Sequence, residues 1–348
     1  MKKLINDPKN ILPEMMEGYL GVYGDVLRQI ESYTSLVRKN LEPGKVGLLV
    51  GGGSGHEPLF LDYLGPGYAD GVAQGNVFAS PSPDNILAVT KAIDRGRGVV
   101  YVFGNHSGDN LNFGMAAELA AQEGIKTHIV LVTDDVALVP PERMKDRRGI
   151  AGIIYVMRIA GAACQAGYDL DAVRDVAEKA NSVTRTMGVA LYPGTIPGEP
   201  KASFELAEDE IEIGLGLHGE PGARTGKIKT ADEIVDEMVE AIVKDVPYKK
   251  NDDVCVLVNG LGATSRLELM IATRRILQDL TKLGIHVHDI KVGNFAICQE
   301  MAGLSITMMR LDSELMKLYD SPCYSAMTSQ FTLNPLRPQS HRNSSGRY

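Results

Sequence analysis

Val50-Gly51-Gly52-Gly53-Ser54-Gly55-His56-Glu57-Pro58 follows directly on Val46-Gly47-Leu48-Leu49, and the junction of the two points to the fold. The run into Val50 is apolar at every side chain, the pattern of a strand covered on both faces. Four glycines in the next five positions predict a sharp turn and a close approach of backbone to ligand. A histidine and a carboxylate follow at once. In open α/β sheets the loops leaving the carboxyl ends of strands form the binding crevice. Alone, the stretch reads equally as a glycine turn closed by a polar cap, with His56 capping a helix from Glu57-Pro58.

The chain around it supports an α/β reading. Residues 11 to 40 carry Met15, Met16, Tyr19, Leu20, Val26, Leu27 and Ile30 at helical spacing. A short helix is predicted at Leu59 to Leu64, a loop over Gly75 to Pro83, and a helix from Asp84 to Asp94. The strand Val99 to Phe103 runs into a second glycine-bearing loop, Gly104-Asn105-His106-Ser107-Gly108-Asp109-Asn110, then a helix from Leu111 to Glu123 and a strand from Thr127 to Val132. Arg143 to Gly149 reads as a solvated loop, and residues 150 to 167 and Asp171 to Val183 as helices. Beyond a stretch rich in Gly, Pro and Thr, with strand-like pieces at Met187 to Leu191 and Ile211 to Leu217, the alternation resumes. Helices are predicted at Asp232 to Lys244, Leu267 to Leu283 and 295 to 302, and strands at Val254 to Val258, Ile285 to Val292 and Leu304 to Met309. This alternation predicts two α/β domains, each a largely parallel or mixed sheet flanked by helices, over 1–183 and 184–335. The polar residues 336–348 read as a disordered tail.

Composition narrows the class. The 348 residues carry a net charge of −8, which argues against a general nucleic-acid binder. No apolar run reaches the roughly 20 residues a membrane helix needs, and the N-terminus lacks the apolar core of a signal peptide. Cys164, Cys255, Cys298 and Cys323 are scattered in apolar surroundings. They predict buried thiols in a cytoplasmic protein, with no metal site.

Three strand-end loops carry the candidate chemistry: Gly53 to Glu57, Gly104 to Asn110, and Gly214-Leu215-Gly216-Leu217-His218-Gly219-Glu220-Pro221-Gly222. Together they would supply His56, His218 and Asp109 with many backbone N–H groups, a set suited to acid–base or covalent chemistry on a small polar molecule. The residues also admit plainer roles: His218 as a turn residue, Asp109 as a helix N-cap, His106 as a structural turn residue, His286 and His288 as strand residues. The glycine stretch is neither G-x-S-x-G nor G-x-G-x-x-G, because His56 stands at the last glycine, and there is no P-loop.

With these loops in view, the chain resembles the dihydroxyacetone-binding subunit family of dihydroxyacetone kinases. The resemblance rests on Gly51 to Pro58, Ser107-Gly108-Asp109 with Asn112-Phe113, Arg148-Gly149-Ile150-Ala151-Gly152, Ile159 to Ala163, Gly216 to Gly222, Val258 to Gly262 and Glu300 to Gly303. It implies a homodimer in which His218 attacks the ketone carbon and holds the substrate as a hemiaminal. It implies further that Asp109 bonds a terminal hydroxyl and helps to deprotonate it, and that His56 is the companion acid–base group. Gly53, Ser54, Gly55, Gly104 and His106 would join His56 and Asp109 around the substrate. No cofactor is expected on this chain; Mg-ADP or Mg-ATP would sit on a separate subunit, either one recharged from phosphoenolpyruvate by a phosphotransferase relay or a free ATP-using partner. The loop departs from the family in having Gly104 where a lysine is usual and His106 where an aromatic residue is usual. That departure opens two further readings: a subunit for a four-carbon ketose, or a non-catalytic paralogue that senses the ketose and regulates transcription.

Overall fold

The computed structural model describes residues 2–326, apart from 200 and 221, together with 329–330; the predicted tail, 336–348, lies outside them. The first half opens with α1 (Ile11–Tyr23), β1 (Leu27–Gln29), β2 (Leu36–Arg38), β3 (Gly47–Ser54) and β4 (Gly71–Val77). It continues with α2 (Pro83–Ile93), β5 (Val99–Gly104), α3 (Ser107–Gln122), β6 (Thr127–Val132), α4 (Ile153–Gln165) and α5 (Leu170–Ser182). Its six strands lie in the order β1-β2-β4-β3-β5-β6. The four inner and right-hand strands are parallel, and β1 and β2 form an antiparallel hairpin on the edge.

The second half holds β7 (Thr184–Tyr192), β8 (Glu210–Ile213), β9 (Arg224–Lys227), α6 (Ala231–Asp245), β10 (Asp253–Gly260) and α7 (Arg266–Leu283). Then come β11 (His286–Gly293), β12 (Ala302–Leu311), α8 (Ser313–Tyr319) and a small ribbon of β13 (Cys323–Tyr324) with β14 (Ser329–Gln330). Its sheet, in the order β11-β10-β12-β7-β8-β9, is antiparallel except for β10 against β11. Both sheets are thus mixed and flanked by helices, as predicted. No helix among the described residues is long and apolar enough to cross a membrane, and all four cysteines are buried and outside any disulfide.

Several segments differ from the sequence reading. The helix expected over 11 to 40 ends at Gly24, where a Cβ would stand 2.3 Å from the carbonyl of Leu20. Leu27, Ile30 and Leu36 instead bury an edge hairpin. Gly75 to Val77, expected as loop, ends a full strand. The helix expected at 295 to 302 does not form, because Gln299 N–H, which a helix would direct to the carbonyl of Phe295, donates to Gly55 O at 3.0 Å, and Gln299 itself sits at φ 52°. Asn259 Oδ1 on β10 holds the start of the segment, accepting Phe295 N–H and Ala296 N–H at 2.8 and 2.9 Å.

The halves meet through a shared apolar core around α4, which packs Ile154, Tyr155 and Ile159 with Leu257, Phe295, Leu315 and Leu318. Charge also crosses the seam. The expected solvated loop 143–149 is in fact a 3-10 turn over Pro141–Asp146 followed by Arg147, which is 1% exposed. Arg147 clamps Asp245 with both terminal nitrogens, at 2.9 and 2.5 Å, and Arg185 binds the same carboxylate. Removing one partner of a buried pair costs about 3–5 kcal/mol, because the remaining charge stays desolvated. Asp245→Asn is expected to lose stability of that order in urea unfolding. A change within about 0.5 kcal/mol would assign these contacts no net role.

Candidate active site

The glycine stretch is not a loop. It stays extended as β3 through Ser54, buried throughout, and turns only at Gly55, where φ is 98°. The glycines are there for closeness. A Cβ at Gly51 would lie 2.3 Å from Ala73 O, and one at Gly53 would lie 2.7 Å from Ala79 N. Backbone therefore packs directly on backbone beside the site, and Phe78 is brought over its top. Ser54 faces away from the cavity: its Oγ donates to Gly75 O at 2.7 Å and accepts from Gln74 at 2.9 Å.

Beyond the turn, His56 is 1% exposed. Its Nδ1 lies 2.8 Å from Ile297 O, and a carbonyl can only accept, so Nδ1 carries the proton. Nε2 is buried with no hydrogen-bond partner. The ring also stacks on Phe78, with centroids 5.0 Å apart. Burial, and next the neighbouring His218, hold its pKa down at about 3. At neutral pH His56 is an uncharged imidazole with a free lone pair.

That depression has a consequence for stability. The unfolded chain takes a proton on this residue near pH 6.5, the folded chain only near 3, so between these values the unfolded state binds more protons. The contribution is complete above about pH 6.5 and is lost as the pH falls towards 3, at up to about 1.4 kcal/mol per unit. Unfolding at a series of pH values should therefore show a shallower acid loss for His56→Gln than for the parent chain. Parallel profiles would refute the assignment.

Asp109 comes from the first turn of α3. It is not the N-cap, the position held by His106, which makes no side-chain cap bond. The carboxyl is 8% exposed and its Oδ1 has no partner. Burial raises its pKa, against a hydrogen bond from Ser80 and the two imidazoles of His106 and His218. His106 Nε2 stands 2.8 Å from Gly149 O, which leaves Nδ1 as its free nitrogen. The ring lies over Gly104, where a Cβ would meet His106 Cδ2 at 3.1 Å, Ile153 Cδ1 at 3.1 Å and Gly149 O at 3.0 Å.

His218 completes the set. Its ring is 4.7 Å from that of His56 and 4.8 Å from that of His106, centroid to centroid. Its Nδ1 lies 2.8 Å from Glu220 Oε1, and its backbone N–H donates to Glu220 Oε2 at 2.9 Å. Burial works against the charge on Glu220, but the hydrogen bond from His218 prevails and its pKa lies well below the ordinary carboxylate range. The ionised carboxylate orients the ring with Nδ1–H towards it and Nε2 free, an arrangement that makes the imidazole a better nucleophile.

Gly53, His56, Gly104, His106, Asp109 and His218 line one cavity together with Gly52, Phe60, Ile153 and Leu217. Ser54 and Gly55 stand behind it. Its volume is ≈ 10 Å³, about what one water needs, so a larger guest must displace side chains near half-buried His218. Glu220, Phe78 and the Ile297 carbonyl were not among the residues expected. Glu220 was visible two positions beyond His218; Phe78 and Ile297 carried no sequence signal. His106, His218 and Glu220 also cluster closely enough to hold a metal ion, although the Nδ1–H of His218 occupies the carboxylate.

Residues 17–327 match the Dak1 domain. The chain belongs to the Dak1 family. A Dak1 relative from Listeria innocua, described as "PTS-dependent dihydroxyacetone kinase 2, dihydroxyacetone-binding subunit DhaK", is 43% identical over 325 residues, covering 93% of this chain and 98% of that protein. The L-erythrulose kinase of Pectobacterium atrosepticum is 38% identical over 346 residues, 98% of this chain but 58% of that longer protein. Among solved structures, the dihydroxyacetone kinase of C. freundii superposes with a TM-score of 0.88 at 30% identity, over 99% of this chain and 63% of that one. The "dihydroxyacetone kinase operon co-activator Dha-DhaQ" gives 0.86 at 31% identity, over 91% and 98%.

Proposed function

We propose that this Dak1 chain is the ketose-binding subunit of a dihydroxyacetone-type kinase, which holds its substrate as a hemiaminal on His218. The observation that carries the reading is the Glu220–His218 bond, which frees Nε2 beside His56 and Asp109. Nε2 donates its lone pair to the ketone carbon, the carbonyl π pair moves to oxygen, and that oxygen takes a proton from solvent. The imidazolium charge so formed lies against the Glu220 carboxylate. Glycerol has no carbonyl and is refused. With the ketone carbon fixed, a terminal hydroxyl falls between the unpartnered Oδ1 of Asp109, which accepts its proton as phosphate arrives, and Nε2 of His56, the companion acid–base group. Covalent orientation of this kind replaces a bimolecular encounter with near-attack geometry.

The donor belongs elsewhere in this reading. Phosphoryl transfer uses Mg²⁺ and a phosphate cradle, and the sequence carries no P-loop. Mg-ADP or Mg-ATP is assigned to a separate nucleotide subunit, with phosphoenolpyruvate as the ultimate donor. A homodimer belongs to the same reading; exposed Leu267, Met270, Ile271 and Leu277 of α7 offer an apolar stripe for a second copy. Native mass spectrometry with short ketoses tests the core of the proposal. The whole mass of the ketose should add to the chain without loss of water. No adduct with any three- or four-carbon ketose would overturn it.

One observation favours a four-carbon ketose. Gly104 leaves room that His106 occupies, with its free Nδ1 3.8 Å from Glu220 Oε1, and the additional hydroxyl of erythrulose would find a partner there. A site built around such a hydroxyl discriminates strongly against an analogue lacking it. With a nucleotide subunit supplied, kcat/KM for erythrulose is expected to exceed that for dihydroxyacetone by about tenfold or more, and His106→Ala to bring the ratio near unity. A preference for dihydroxyacetone that survives His106→Ala would remove this reading. The likeness to the operon co-activator supports the alternative of a sensor, in which the adduct forms without turnover.

A further inference from the structure

A second and larger cavity, ≈ 110 Å³, shares no lining residue with the candidate active site. Tyr63, Tyr68, Tyr155, Arg158, Lys291 and Tyr319 form most of its wall, so the two halves of the chain both contribute. None of these residues takes part in the chemistry above. Phe295 closes one side, two residues from the Ile297 carbonyl that holds His56.

Arg158 is the residue that gives the cavity its character. It is 1% exposed, yet its hydrogen-bond partners among the described residues are all neutral: Gly67 O and Tyr319 O, each at 2.9 Å, and the carbonyl and hydroxyl of Ser321. No ion pair among the described residues includes it. Its guanidinium carbon lies 5.4 Å from the centroid of the Tyr68 ring, which softens an unbalanced charge without cancelling it. A buried cation lacking a counter-ion is costly, and a charge brought in from solution relieves that cost. Tyr155 supplies the second sign. Its hydroxyl is buried and has no hydrogen-bond partner, a phenol donor left waiting for an acceptor. The nearby carboxylate of Asp289 is engaged, accepting the Tyr319 hydroxyl at 2.5 Å.

We propose that this cavity is a binding site for a small anion, a carboxylate or a phosphate, received by Arg158 and the Tyr155 hydroxyl. Size sets the upper limit. A cavity of about 150 Å³ takes benzene, so in this smaller one about six heavy atoms is the ceiling. Nucleotides and phosphorylated sugars are too large.

Calorimetric and thermal-shift titrations with L-lactate, inorganic phosphate and glycerol test the proposal; lactate has no ketone to react with His218. One of the two anions should bind one-to-one and raise the melting temperature, and which of them does so distinguishes the carboxylate from the phosphate source. Glycerol, uncharged and of similar size, should do neither. Binding should persist in His218→Ala, which separates this cavity from the ketose site. Tyr155→Phe should weaken it about tenfold or more while leaving the fold intact. Arg158 also ties down three carbonyls, so the tyrosine is the cleaner probe. No binding of either anion at millimolar concentration overturns the proposal. So does binding that vanishes in His218→Ala, that is unchanged in Tyr155→Phe, or that glycerol matches.

Discussion

His218→Ala is expected to abolish the ketose adduct and to lower phosphoryl transfer by on the order of 10³-fold or more. The size follows from what the bond does. A short ketose offers few apolar contacts, and without the Nε2–carbon bond it is one polar solute among many in a small cleft. The variant should also accept glycerol no worse than dihydroxyacetone, since the carbonyl no longer matters. Folding should be spared, because His218 is half-buried and its partner Glu220 lies two residues away on the same loop. Native mass spectrometry and turnover with a nucleotide subunit provide the readouts. Retention of the adduct in the variant would sink the assignment and turn attention to His106. Glu220→Gln offers a graded version of the same test. The ring keeps its hydrogen bond but loses the charge beside it, so the adduct should form and weaken.

Asp109→Asn separates holding from transfer. The amide matches the carboxylate in shape and can still bond the terminal hydroxyl, but it cannot take its proton. The adduct should survive almost unchanged while turnover falls about 10²–10⁴-fold, the range of a lost general base. Thermal stability should rise slightly, because the parent buries a carboxyl oxygen with no partner and burial already raises its pKa. An increase in stability with a loss of activity is what a strained functional group gives. Turnover equal to the parent's would remove Asp109 from the chemistry and leave His56 as the sole base. If neither variant nor parent turns over any ketose with any nucleotide subunit while the adduct forms, the sensor reading stands instead.

Much of the fold was legible. The central strands announce themselves as short apolar runs (Val99 to Phe103, Val254 to Val258), and most helices by the spacing of their apolar residues. The errors fall where a partner distant in sequence overrides a local pattern. Residues 27–38 keep helical spacing but are drawn into an edge hairpin, where Arg38 meets Asp70 at 2.6 Å. Gln299, inside the helix expected at 295 to 302, has its amide claimed by the carbonyl of Gly55. β4 escaped notice because Gly71, Gly75 and Asn76 do not form an apolar run, and its pairing with β3 supplies what propensity lacks.

The opening stretch shows where the division lies. From the residues alone came two glycine-set histidines, a carboxylate after a strand, and the absence of a phosphate loop, because these are local patterns of residue type and spacing. The sequence could not reveal that Gly51 to Ser54 remain strand and that their glycines exist to let Ala73 and Ala79 come close. Nor could it assign the protons. The nitrogen left free on His56 depends on a carbonyl 241 residues away, and that on His106 on Gly149. Tautomer, burial and pKa are properties of a neighbourhood, and only the tertiary structure brings that neighbourhood together.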